Sequence, residues 1–288
     1  VFAADHGVVD EGVSAWPRDV TAAMVANFDA GGAAVNVLAH AADVGVIVVD
    51  VGVATELPPT SATVRRHRIR PGTGNLAREA AMTVDEARCA LDVGATMAAE
   101  LVTGGNRALL AGDMGIGNTT SAAALISTCT GLASEPLVGR GAGVDDDGLA
   151  RKRAIVRAAV ERANQLDDPI AVLAEIGGLE IAALVGYLIG GAAARVPVVL
   201  DGVIVCAAAV VAQQLAPESV GYFIASHRSV EPAAGAALEA LGLDPVLDLE
   251  LRLGEGTGAC LALPILDASA RLLTEMATFD DASVPGAE

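Results

Sequence analysis

Aromatic residues are almost missing from this chain: they make up 2% of it, with one tryptophan, two tyrosines and four phenylalanines. Its core must therefore be built from Ala, Val, Leu and Ile, which pack densely without rings. Positive charge is scarce as well. Eighteen Lys and Arg stand against 36 Asp and Glu, for a formal net charge of −18. That balance excludes a general nucleic-acid binder, which needs a basic face, and it argues against anionic membrane surfaces. A small anionic ligand stays open, because a few local cations suffice to hold one. The four cysteines (Cys89, Cys129, Cys206, Cys260) lie far apart with no C-x-x-C. They are expected to be small buried thiols of a reducing compartment. The histidines (His6, His40, His67, His227) show no metal-ligand spacing, and "DDD" (145–147) reads better as a helix cap than as a Mg²⁺ site. No uncharged apolar run reaches the roughly 18–20 residues of a membrane span. The longest, near "IAALVGYLIGGAAA" (181–194), lies between Glu180 and Arg195 and is expected as a buried or interface helix. The chain starts with Val, so a preceding N-terminal element is expected.

Against these shortages stand short apolar runs punctuated by glycine. Six of them read as strands buried on both faces: 1–4, 44–51, 108–111, 196–200, 220–225 and 246–251. Helical segments separate them. "TVDEARCALDVGATMAAELV" (83–102) opens with a capping box, Thr83 and Glu86. Segments 146–165, 231–243 and 258–276 also read as helix, the last with Pro264 as a start or kink. Strand–helix alternation predicts an α/β domain with a parallel sheet. Residues 54–82 break the alternation as a long connection carrying Arg65, Arg66, Arg68 and Arg70. A functional loop and a solvated excursion fit it equally.

Ligands of open parallel sheets sit beyond the carboxyl ends of the strands. The polar chemistry of this chain collects there: "DHG" (5–7), "GDMGIGN" (112–118), "DG" (201–202), "SHRS" (226–229) and "RLGEGTG" (252–258). "GDMGIGNTT" (112–120) fits an anion site at a helix start or a structural turn equally well. Its glycine order is neither the dinucleotide fingerprint nor a P-loop, which weakens an NAD-dependent dehydrogenase reading. Lys152, following "GRGAGVDDDGLAR", is either a helix-surface residue or a phosphate ligand. His227, Arg228 and Ser229 suit phosphate or carboxylate recognition, whereas a Ser–His nucleophile lacks an acid partner. Glu255, between two glycines, is either a turn acid capping the next helix or a base with a raised pKa.

Taken together and in order, "VFAADHGV", "GVSAWPRDVTAAMV", "GGAAVNVLA", "GDMGIGNTT", "GRGAGVDDDGLARK", "IGGLEIAALVG", "PVVLDG", "SHRSVEP", "LRLGEGTGA" and "EMATFDDASV" resemble the nicotinate-nucleotide:dimethylbenzimidazole phosphoribosyltransferase family of cobalamin lower-ligand synthesis, from residue 1 to about 284. The resemblance implies a Rossmann-like, six-stranded parallel sheet flanked by helices, with a smaller helical domain. Residues 1–265 would form the large domain with the nucleotide site. Residues 266–288 would form a C-terminal helix and tail belonging to the small domain, whose N-terminal portion is missing. It implies transfer of ribose 5-phosphate from nicotinate mononucleotide to 5,6-dimethylbenzimidazole, with inversion at the anomeric carbon, in a cytoplasmic homodimer without cofactor or metal. Glu255 would be the general base, with Asp113 as a second catalytic acid. Gly115, Gly141, Lys152, Ser229, Arg252 and Gly254 would contact the nucleotide, and Ser14, beside Trp16 and Pro17, the benzimidazole. Two departures stand out. Asp113 replaces the family's usual Glu, and Ala22 and Ala23 stand where members often carry Gln. Transfer to another base such as adenine, and a non-catalytic relative that only binds the nucleotide, are the alternatives.

Overall fold

The computed structural model describes residues 1–284, so the last four residues of the expected C-terminal tail lie outside the described residues. Its strands are β1 (Phe2–Ala4), β2 (Val48–Gly52), β3 (Val64–Arg66), β4 (Leu109–Leu110), β5 (Asp113–Met114), β6 (Val198–Leu200) and β7 (Phe223–Ala225). Its helices are α1 (Val20–Asp29), α2 (Ala34–Ala41), α3 (Val84–Thr103), α4 (Asn118–Thr130), α5 (Asp146–Ala163), α6 (Pro169–Ile176), α7 (Leu179–Ala193), α8 (Val203–Leu215), α9 (Pro232–Leu241) and α10 (Thr257–Glu275). All strand pairs are parallel, as an α/β chain with crossover helices requires.

The strands form two sheets, ordered β3-β2-β1-β5 and β4-β6-β7, rather than the single six-stranded sheet expected. The reason lies in residues 109–114. Ala111 N still donates to Val199 O (3.1 Å), on the β6 side, while Gly112 O accepts from Phe2 N (3.0 Å), on the β1 side. One bent segment thus closes both sheets. A Cβ on Gly112 would lie 2.5 Å from Glu255 O, so glycine is what lets the bend and the 252–258 turn approach each other.

Two other expectations need correction. Residues 246–251 form no strand and only a single parallel bridge, His227 to Leu247. Glu250 sits at φ +54°, a left-handed conformation that breaks a ladder. Conversely, the connection 54–82 contains β3, which pairs at the edge of β2 through Val64–Arg66; its exposed arginines disguise an edge strand. The capping box is present: Thr83 Oγ1 accepts from Glu86 N (3.1 Å) and Glu86 Oε2 accepts from Thr83 N (2.8 Å). Pro264 lies inside α10. Cys206 and Cys260 are buried, but Cys89 is exposed, against the expectation for it.

Side chains alternate across the strands. Phe2, Ala4, Val49 and Val51 join α3, α7 and α8 in the larger core, whereas Ala3, Val48 and Val53 meet residues of α1, α2 and α10 on the opposite face. The scarcity of rings is met by helix proximity. Between α3 and α7, Gly94 faces the Ala183 backbone and Gly186 faces the Leu91 backbone with no room for a Cβ. The apolar stretch Val20–Ala41 has the length of a membrane span, but α1 ends at Asp29, Gly31 turns left-handed (φ +77°) and α2 begins anew at Ala34.

Candidate functional site

A cleft opens at the carboxyl ends of β1, β5, β6 and β7, where an α/β sheet places ligands. Ser14, Asp113, Gly115, Gly141, Ser229, Arg252, Gly254 and Glu255, named from the sequence, all line it. Lys152 does not. It lies fully buried behind the cleft wall, its Nζ donating to Thr119 Oγ1 (2.7 Å) and to Gly139 O (3.1 Å). Thr119 and Gly141 are wall residues, so the ammonium stands one layer from the cleft. Lys152 is the only lysine in the chain. Burial lowers its pKa to about 8, and the Glu231 carboxylate opposes that fall.

The loop 115–118 explains the opening of α4. Gly117 is its N-cap at φ +92°, with no side chain closing the helix end. The Ile116 amide is anchored by Thr21 Oγ1 of α1 (3.2 Å), and a Cβ on Gly115 would meet Ala4 O at 2.5 Å. The amides of Asn118 and Thr120 are taken by Gly115 O (3.2 Å) and Gly117 O (3.1 Å), and residues 115–119 line the cleft, so the α4 start favours an anion there through its dipole more than through free N–H groups.

The acids are less exposed than the sequence suggests. Asp113 Oδ2 accepts from Asn118 Nδ2 (2.9 Å), while its Oδ1 is buried without a partner. Burial, reinforced by the charges of Asp201 and Glu180 and offset by the Asn118 bond, pushes the Asp113 pKa up to about 8. Asp113 therefore carries its proton at neutral pH. A Cβ on Gly254 would lie 3.6 Å from both Asp113 oxygens, so the short carboxyl group abuts the backbone next to Glu255. Glu255 is also buried, its Oε2 has no partner, and burial raises its pKa, with the Val35 amide opposing.

Other buried residues shape this geometry, among them His227, already a candidate for anion recognition from the sequence. His6 is buried, with Nε2 2.6 Å from Glu180 Oε1 and Nδ1 3.2 Å from Ser121 Oγ. Asp201 accepts backbone amides from the start of α10. Glu231 Oε1 accepts from Gly141 N (2.8 Å), fixing the glycine-rich loop. His227 lines the cleft, held by Ser226 Oγ (3.0 Å), and burial lowers its pKa. Position after a strand pointed to His6, Asp201 and His227. Nothing local marked Glu180, which reaches the site from the start of α7. Among the described residues, no three His, Cys, Asp or Glu side chains come together as a metal-binding group.

Known proteins share both this sequence and this fold. Residues 1–284 match the family DBI_PRT, described as phosphoribosyltransferase. The nicotinate-nucleotide–dimethylbenzimidazole phosphoribosyltransferase of Salinispora tropica is 52% identical over 299 residues, covering 99% of this chain and 82% of the relative. Its namesake from Thermus thermophilus is 52% identical, covering 99% and 84%. The crystal structure of CobT from Thermus thermophilus superposes with a TM-score of 0.96 at 51% identity, covering 99% of this chain and 85% of that one. The residues that gather round the cleft thus sit in a sequence and a fold shared almost end to end with proteins of one name, and the chain belongs to the nicotinate-nucleotide–dimethylbenzimidazole phosphoribosyltransferase family.

Proposed function

We propose that this chain moves ribose 5-phosphate from nicotinate mononucleotide to 5,6-dimethylbenzimidazole, giving α-ribazole 5′-phosphate and nicotinate. The observation that carries the reading is Glu255: a buried carboxylate with an unpartnered oxygen, set across a cleft from the open helix start at Gly117. The pyridinium nitrogen takes the glycosidic electron pair and leaves as neutral nicotinate ring, so no acid is needed there. The unprotonated ring nitrogen of the benzimidazole attacks the opposite face of the anomeric carbon, inverting it, and the proton on the other ring nitrogen passes to the Glu255 carboxylate. Asp113, protonated at neutral pH, serves as a hydrogen-bond donor to the nucleotide rather than as a second base.

The phosphate lies over Gly115, Ser229 and the Gly139–Gly141 loop, with Lys152 behind it. Gly141's own amide is engaged by Glu231, so this glycine serves by leaving room: a Cβ there would stand 3.3 Å from Lys152 Nζ. Arg252 and Gly254 complete the nucleotide side, and Ser14 the benzimidazole side. The protein works in the cytoplasm as a homodimer. Exposed Leu272, Leu273, Met276 and Phe279, on and just past the outer half of α10, support an apolar contact in the smaller helical domain.

Incubating the protein with nicotinate mononucleotide and a panel of dimethylbenzimidazole, benzimidazole and adenine tests this. Nicotinate release is expected with dimethylbenzimidazole, and Glu255→Gln is expected to slow it by about 10²-fold or more. Failure of every base in the panel to release nicotinate would refute the transferase reading, and preference for adenine would move the acceptor.

A further inference from the structure

The turn that presents Glu255 is an unusual piece of backbone. Three consecutive residues are left-handed: Gly254 at φ +82°, Glu255 at +65° and Gly256 at +89°. For the two glycines this conformation is free of steric strain, but for a glutamate it is disfavoured and must be held by its surroundings. Three sets of contacts supply the hold. Thr257 closes the turn from one side, its N (3.0 Å) and Oγ1 (2.7 Å) both donating to Gly254 O. Gly112 packs against the Glu255 carbonyl from below. The third is a charge. Asp201, fully buried at the end of β6, accepts from Gly256 N with Oδ2 (3.0 Å) and from Gly258 N (2.8 Å) and Ala259 N (3.3 Å) with Oδ1.

The Gly256 N–H belongs to the peptide group directly after Glu255. Fixing that peptide fixes the direction in which the Glu255 Cα–Cβ bond leaves the backbone. The carboxylate also satisfies the amides that open α10, where a negative charge is favoured by the helix dipole. A neutral side chain could not accept all three N–H groups as strongly. The neighbouring His227 Nδ1 is 3.7 Å from Asp201 Oδ1 and packs against Gly258, so the clamp has a rigid back wall.

We propose that Asp201 is a positioning residue for the reaction: by clamping the amides of Gly256, Gly258 and Ala259 it aims the Glu255 carboxylate into the cleft. The proposal rests on the reading of Glu255 as the general base. It assigns Asp201 no contact with substrate.

The test is a double-mutant cycle on the full chain with nicotinate mononucleotide and dimethylbenzimidazole. Asp201→Asn is expected to lower kcat by about 10²-fold, the scale of a misplacement near 1 Å, with the KM for nicotinate mononucleotide unchanged within twofold. In a Glu255→Gln background the same substitution is expected to remove almost nothing further, because groups acting as one unit are not additive. Full additivity, or a loss confined to KM, overturns the proposal. Should Asp201→Asn not fold, Asp201→Glu replaces it. A carboxylate one methylene longer cannot meet the three amides together, so kcat is expected to fall with charge retained; wild-type kcat overturns the proposal. If Glu255→Gln is itself fully active, the reading of the base has failed. If Glu255→Gln is dead while Asp201→Asn is unimpaired, only the positioning role has failed.

Discussion

At the residue scale, the site is governed by desolvation more than by pairing. Asp113, Glu180, Asp201 and Glu255 are all buried, and the charges of the other three each push the Asp113 proton affinity upward. The consequence for stability has a definite sign. Burial pushes the Asp113 pKa from the ordinary carboxylate value of 3.8 up to about 8 in the folded protein. Its contribution is complete below 3.8 and is lost as pH rises through 8, because in that window the folded state alone keeps the proton. The slope is at most about 1.4 kcal/mol per pH unit for one proton. Asp113→Asn removes it, so thermal melts of the variant are expected to fall less between pH 5 and pH 8 than those of the wild type. Parallel slopes would show that Asp113 ionises freely in the folded protein. The sequence marked Asp113 as a charged oddity in a glycine loop. That the carboxyl group is neutral followed only from its buried neighbours.

At the element scale, glycine decides how closely elements approach, and its consequences depend on place. In α3, Gly94 lies against the Ala183 backbone of α7, and an added methyl would be driven into a carbonyl oxygen that cannot swing away. In α9, Gly235 has open space around it and an ordinary helical φ. The same substitution should therefore have opposite signs. Gly94→Ala is expected to destabilise by about 1–3 kcal/mol through overpacking, whereas Gly235→Ala is expected to stabilise by about 0.5–1 kcal/mol through helix propensity. Urea unfolding of both variants checks the pair, and two shifts of the same sign would contradict this account. Elements with strong local signals were legible in the sequence: the capping box of α3, the acid-capped start of α5 and the apolar runs of β1, β2, β6 and β7. β3 and β5 were not, because an edge strand of one buried valine and two exposed arginines, and two residues inside a glycine loop, carry no periodicity.

At the scale of the whole molecule, the net charge of −18 sets the background. Exposed ion pairs such as Arg18–Asp10 and Arg271–Asp267 use some of the cations, but such pairs contribute little. Self-repulsion among the remaining acids opposes the compact state and is screened over about 10 Å at 0.1 M salt. The melting temperature is expected to rise as sodium chloride increases from about 0.01 M to about 0.2 M. A fall over that range would mean that the surface pairs outweigh the repulsion. Against this acidic background the single lysine lies buried one layer from the cleft, and Arg252 lines the cleft itself.

Composition and order of residues by themselves determined that the fold is a parallel α/β architecture with a ring-poor core, and that polar residues gather beyond the strand ends. Those properties follow from hydrophobic periodicity and from glycine at turns, which act over a few residues. Tertiary structure alone decided that the sheet divides at Gly112, that Lys152 reaches the wall of the cleft from inside a helix, and that Glu180 from α7 and Asp201 from β6 charge the neighbourhood of Asp113. Each of these depends on atoms brought together from distant parts of the chain, where burial, and not local sequence, sets which groups carry charge and where they point.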